Sequence, residues 1–292
     1  MKPVTVRGMS GNRANPSSRA RVLRLALLSL ALLPALLSAA AQRAVAQAAL
    51  PPSATFTAKA QKGQTVLQAM VTALGGQRWL RQRDFYSDGT VSGFFHGTPD
   101  GSLLRFYSWR VPLGPERVEM TKQKNVVELY DDPLCTEITY RGAYPQQKDI
   151  CDQYWRLRHH SLVTAILGWL PNPQTMVFYD GQVLSERHLA DKVTLLNAQD
   201  DAITIEADAD THLPLQVSFT YRDPQFGDKD TEVIEYSNYH LVDGVETPFT
   251  VTDLLNGEMV EQRFLFGAAY NVPLPPAGFS AAATLKATRS KD

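Results

Sequence analysis

Six histidines, two cysteines and several groups of carboxylates are the residues of this chain whose types could do chemistry, and their spacing decides which chemistry. His159 and His160 are adjacent, so on a helix they point about 100° apart and cannot share a metal ion. His96, His188, His212 and His240 stand singly and HExxH is absent, which reads as structural or surface histidine. Glu206, Asp208 and Asp210 alternate along one stretch and could face a Ca²⁺ ion together. An EF-hand loop counted from Asp208 needs glycine where Leu213 stands and glutamate where Phe219 stands; counted from Glu206 it meets Thr211 and Val217. The three acids read instead as a strand end entering a turn before Leu213-Pro214, and no metal or cofactor is expected.

Nucleophile motifs are missing as well. Thr90-Val91-Ser92-Gly93 lacks the leading glycine of GxSxG. Neither GxGxxG nor GxxxxGK[ST] occurs, so nucleotide binding has no motif. Asp131-Asp132, Asp200-Asp201 and the Asp228–Asp230 cluster read as turns, and carboxylate pairs for glycoside hydrolysis cannot be picked out by spacing. No catalytic residue is assigned, and the chain reads as a non-enzyme. Cys135 and Cys151 lack the CxxC spacing of a redox pair. In an oxidising compartment they read as a structural disulfide, tying the segment around Thr136 to the start of the following helix.

The beginning of the chain supplies that compartment. Arg19, Arg21 and Arg24 precede an uncharged run, Leu25 to Ala41, with small-residue exits at Ala41 or Ala46: the layout of a secretory signal peptide. Pro34 interrupts the run, no Arg-Arg pair precedes it and no cysteine follows its exit, so a soluble, non-lipidated periplasmic product is expected. Of 29 basic residues, six lie in the first 41, which hold no acid; 23 basic against 30 acidic remain beyond, a net charge of −7. A nucleic-acid or anionic-lipid footprint of clustered positive charge is therefore excluded.

The elements that would position any site follow. The expected division is 1–41 signal peptide, 42–63 flexible lead-in, 64–280 one folded domain and 281–292 disordered tail. Gln64 to Leu74 has one apolar helical face and ends on Gly75-Gly76. From about Ser87 strands recur every 8–12 residues, Asn256-Gly257 giving the strongest hairpin signal. A second helix is expected over Asp149–Leu170. Strands such as Leu215–Tyr221, Phe249–Val251 and Val260–Phe266 read as apolar on one face, with Glu261 and Arg263 on the wet side. About ten such strands own more apolar face than two helices can cover, leaving either a filled core or a ligand cavity. The class is α+β, with antiparallel strands and no βαβ alternation.

Two stretches carry a resemblance. Ala73-Leu74-Gly75-Gly76 with Asp88-Gly89-Thr90-Val91-Ser92-Gly93, and Ala202–Phe219 followed by Tyr239, Val242-Asp243-Gly244, Pro248 and Asn256-Gly257, are similar to bacterial outer-membrane lipoprotein-sorting proteins, the LolA/LolB-like carriers. The resemblance implies an incomplete antiparallel β-barrel (half-barrel) wrapping helices, with an apolar cavity for lipids or lipoprotein acyl chains. Trp155, Leu162, Ile166 and Trp169 are expected in its lid, and Phe106, Phe219, Phe249 and Phe264 in its wall. Possible further partners are envelope membrane proteins, in a sensor domain of the same fold; a cell-envelope hydrolase is the third reading, which would need polar groups converging inside the concavity.

Overall fold

The computed structural model describes residues 52–289 apart from 186 and 225; the expected signal peptide lies outside them. Helix α1 (Pro52–Leu74) and the short α2 (Gln77–Leu80) come first. The chain then runs through β1 (Phe85–Phe95), β2 (Thr98–Pro99), β3 (Leu104–Arg110), β4 (Glu116–Met120), β5 (Val126–Asp131), β6 (Leu134–Thr139) and β7 (Gly142–Pro145). Helix α3 (Lys148–His159) and a π-helical turn (Thr164–Trp169) lead to β8 (Met176–Ser185). The rest is β9 (His188–Leu196), β10 (Ala202–Asp208), β11 (Pro214–Arg222), β12 (Lys229–Val242), β13 (Val245–Leu255), β14 (Glu258–Tyr270) and α4 (Ala281–Arg289).

All strands join one antiparallel sheet in the order β7-β6-β5-β4-β3-β1-β14-β13-β12-β11-β10-β9-β8, with β2 paired to the far end of β1. The chain leaves the middle at β1, reaches one edge at β7, crosses through α3 to the other edge at β8 and returns to pair β14 with β1. The sheet is open, as expected of a half-barrel. Helix α1 lies against β8, β9 and β13. Its apolar side (Leu67, Met70, Leu74) and the π-helical turn (Ala165, Ile166) close over Val193, Ile203, Ile205 and Val217, each at most 3% exposed. That half of the inner face is a filled core, and the Leu215–Tyr221 alternation supplies its share as read.

Several elements differ from the expectation. Helix α1 starts at Pro52 rather than Gln64, so 52–63 is not a free lead-in. Gly63 passes so close to β8 that a Cβ there would sit 2.8 Å from the Val177 side chain, and Phe56 meets Phe178 edge-on at 5.4 Å. Tertiary contact thus makes helix of an Ala/Lys/Gln-rich turn with little amphipathic signal. Residues 281–289 are helix, not tail: Ala281 and Leu285 cover Val127, Leu129 and Ile138 on the outer face, and Arg117 donates to Thr284 Oγ1 (2.6 Å) and to the Gly278 carbonyl (3.0 Å). The single helix expected over 149–170 is two pieces, broken at His160-Ser161. Asp180-Gly181, read as a turn, is a bulge inside β8. Asn256-Gly257 does close β13 to β14, both residues at positive φ.

Candidate functional site

Successive residues of a strand face opposite ways, so positions two apart on β1, β3, β4 and β14 line one common space. That space is a cavity of about 340 Å³ between the central strands on one side and the end of α1, α2 and α3 on the other. Leu74, Trp79, Phe106, Leu162, Ile234 and Val251 make part of it apolar. The other part is charged.

Glu116 is the centre of the charged part. Its carboxylate accepts from Ser108 Oγ (2.7 Å), Tyr154 Oη (2.7 Å), Arg110 Nε (2.9 Å) and Arg110 Nη2 (3.1 Å). Burial alone would push its pKa up; the Arg110 and Arg158 guanidiniums and these hydrogen bonds outweigh it and bring it to about 2. A second group joins Arg263 to Asp253 (2.9 Å) and Glu261 (2.5 Å). There burial, with Glu261 adding to it, raises Asp253 to about 6 against the pull of Arg263 and Arg110. A third pair is Tyr130 Oη donating to Glu128 at 2.8 Å; burial pushes both groups up.

Helix α3 is held over this cluster by the disulfide. Cys135 of β6 is bonded to Cys151, with Cα atoms 5.7 Å apart, as the sequence led us to expect. Cys151, Tyr154 and Arg158 fall at helical spacing on one side of α3, so anchoring the first turn presents the next two to the cavity. The Tyr154 ring stacks on Tyr130 at 3.5 Å, and Trp155 packs behind it against Tyr130 and Cys135.

The eight aromatic and aliphatic residues singled out from the sequence are dispersed. Phe106 and Leu162 line the cavity. Trp155 sits behind it, and Ile166 is in the filled core with Trp169 at that core's margin. Phe219 is buried beneath His160, ring on ring at 4.0 Å, and Phe249 packs on His240 at 4.4 Å. Phe264 is 41% exposed on the outer face, and Phe266 beside it is 62% exposed under the Arg105 guanidinium. Strand β14 is therefore inverted relative to its reading: Glu261, Arg263 and Leu265 face inward. Hydrophobicity alone points β14 the other way; the inward charges are held because Arg263 pairs with both Asp253 and Glu261. The residues missed were the charged ones: Arg110 ends β3, Glu116 begins β4 ahead of Arg117 and Glu119, and Arg263 follows Glu261 and Gln262, so nothing in their local sequence marks them as inward.

No protein-family profile matches this chain, and no curated protein matches it. Among solved structures it is similar to a DUF1329 family protein from Desulfovibrio piger, with a TM-score of 0.52 at 11% identity over 77% of this chain and 98% of that one. A putative outer membrane lipoprotein-sorting protein domain from Vibrio parahaemolyticus scores 0.49 (10% identity, 78% and 99% covered). A LolA superfamily protein from Nitrosomonas europaea scores 0.47 (10% identity, 75% and 97% covered). At such identities likeness is of fold alone, and the two scores under 0.5 add no weight to it. The resemblance read from the sequence holds as far as that fold: an open antiparallel sheet around helices.

Proposed function

We propose that the protein is a periplasmic carrier or binding protein, not an enzyme, that holds a lipid or a lipoprotein acyl chain in the cavity under α3. The observation that carries this reading is the 340 Å³ space itself, left unfilled beside a tightly filled core and walled in part by Phe106, Leu162 and Val251. Its size is at the lower end of ligand pockets, roughly 300–1,000 Å³. Burial yields ~0.8 kcal/mol per methylene, so about eight buried methylenes give ~6 kcal/mol before costs, enough to hold a chain and still release it. Release requires α3 to lift, which breaks the Tyr154–Glu116 hydrogen bond and the two bonds from Arg158 to the Val111 and Pro112 carbonyls and unstacks Tyr154 from Tyr130. Among the described residues no helix is long and apolar enough to cross a membrane, which leaves strands out of account.

Delipidated protein should bind a fluorescent acyl probe saturably, with a Kd on the order of tens of micromolar or weaker. Val251→Trp, which puts an indole into the cavity, should weaken binding about tenfold or more while far-UV circular dichroism stays unchanged. A folded protein that shows no saturable binding ends the carrier reading.

A further inference from the structure

Three guanidiniums line the cavity, and two are saturated by carboxylates: Arg110 by Glu116, and Arg263 by Asp253 and Glu261. Arg158 is different. It is 7% exposed, and its Nη2 donates to the carbonyls of Val111 (2.5 Å) and Pro112 (2.8 Å), which hold no formal charge. Its Nη1 is buried with no hydrogen-bond partner. Leaving a donor of a buried cation unmet is costly, so a site of this kind is complete only when an acceptor arrives. Burial and the neighbouring Arg110 lower the Arg158 pKa to about 10, with Glu116 opposing, so the group remains a cation at neutral pH. Arg110, Arg158 and the ionised Glu116 together carry one net positive charge. The Arg263 group, with two carboxylates, carries one net negative charge, and Glu128 and Glu246 also line the cavity, so the positive charge is local to Arg110 and Arg158.

We infer that the Arg158 guanidinium, which lines the cavity with its Nη1 unpartnered, is the seat for the oxyanion head of an amphiphilic guest, a carboxylate or a phosphate, whose chain lies along Phe106, Leu162 and Val251. This rests on the lipid reading of the cavity and narrows it to anionic amphiphiles. Charge-assisted bonds to a guanidinium are stronger than neutral ones, so the head adds both affinity and orientation. It also gives the cavity a reason for its charged side, since an alkyl chain alone gains nothing from burying three arginines.

The test is displacement of a fluorescent acyl probe from the delipidated full-length protein by twelve-carbon competitors: dodecanoate, dodecyl phosphate and dodecanol, with inorganic phosphate alone as a fourth arm. One or both anions should compete at least about tenfold better than dodecanol, and the better of the two identifies the head; inorganic phosphate should not displace. Arg158→Met should bring anions and alcohol to within about threefold of one another. Because Arg158 also closes the β3–β4 turn, a wild-type measurement stands beside it: the ¹³C-carboxyl resonance of bound labelled dodecanoate should titrate below its free value. Titration at or above the free value overturns the inference, whether or not Arg158→Met folds. So does equal competition by all three chains, which leaves the carrier reading intact, and so does displacement by inorganic phosphate alone, which marks a free-anion site. Failure of every chain to displace the probe instead overturns the carrier reading.

Discussion

Glu116→Ala is expected to cost about 3–5 kcal/mol of folding stability at neutral pH, measured by urea denaturation. The loss comes less from the missing hydrogen bonds than from what remains: Arg158, 7% exposed, and Arg110, whose side chain keeps 28% of its surface, would face each other with no anion between them. Ser108 Oγ and Tyr154 Oη would also lose their acceptor. Glu116→Gln should cost less, because an amide oxygen still accepts while only the charge is gone. The same carboxylate sets a pH dependence with a definite sign. Its folded pKa of about 2 lies below the ordinary value of 4.5, so the stability it contributes is present above pH 4.5 and is lost as the pH falls toward 2. Wild type and Glu116→Ala should therefore converge in stability across that window. A loss under about 1 kcal/mol at neutral pH, or a gap that does not narrow in acid, would show that the arginines do not depend on this carboxylate.

How far the molecule can be read from its residues depends on which force placed each one. Turn chemistry is local, and Asn256-Gly257 closes its hairpin as read; Asp243-Gly244 makes a second one, with positive φ at both residues. The motifs behind the family resemblance are also places where backbones touch. Gly75 has φ +124°, and a Cβ on it would lie 2.6 Å from the Gly244 carbonyl oxygen, so two stretches far apart in sequence meet where only glycine fits. Gly89 faces the Phe264 carbonyl in the same way. Such residues declare a fold, and they say nothing of a ligand. The cavity is set by non-local partners. Arg263 has no cause to turn inward until β13 brings Asp253 beside it, and Arg158 has none until the Cys135–Cys151 bond fixes the start of α3. Reading oily residues as wall and lid therefore named Phe106 for the wall and Leu162 for the lid, both of which line the cavity, put Phe264 in the wall though it lies on the outer face, and named none of the charged residues.

Glu232 supplies the opposite pH dependence. It is 1% exposed in β12, beside Phe219 and Leu255 in the register. Its Oε2 has no hydrogen-bond partner, and its Oε1 has only the Tyr221 hydroxyl at 3.5 Å. Burial raises its pKa to about 7; Arg156, stacked on the Tyr221 ring at 3.9 Å, opposes this, and Asp253 and Asp230 add to it. The unfolded chain releases this proton near pH 4.5, whereas the folded chain holds it to about pH 7, so stability falls as the pH rises through that interval. Glu232→Gln presents the neutral form at every pH. It should match wild type below pH 4.5 and exceed it by about 3 kcal/mol above pH 7, in denaturation curves taken across the range. A difference that stays constant with pH would mean that water or Arg156 already satisfies the carboxylate. A growing one identifies Glu232 as a charge the fold carries at a cost in stability, close under α3, the helix whose opening the carrier reading requires.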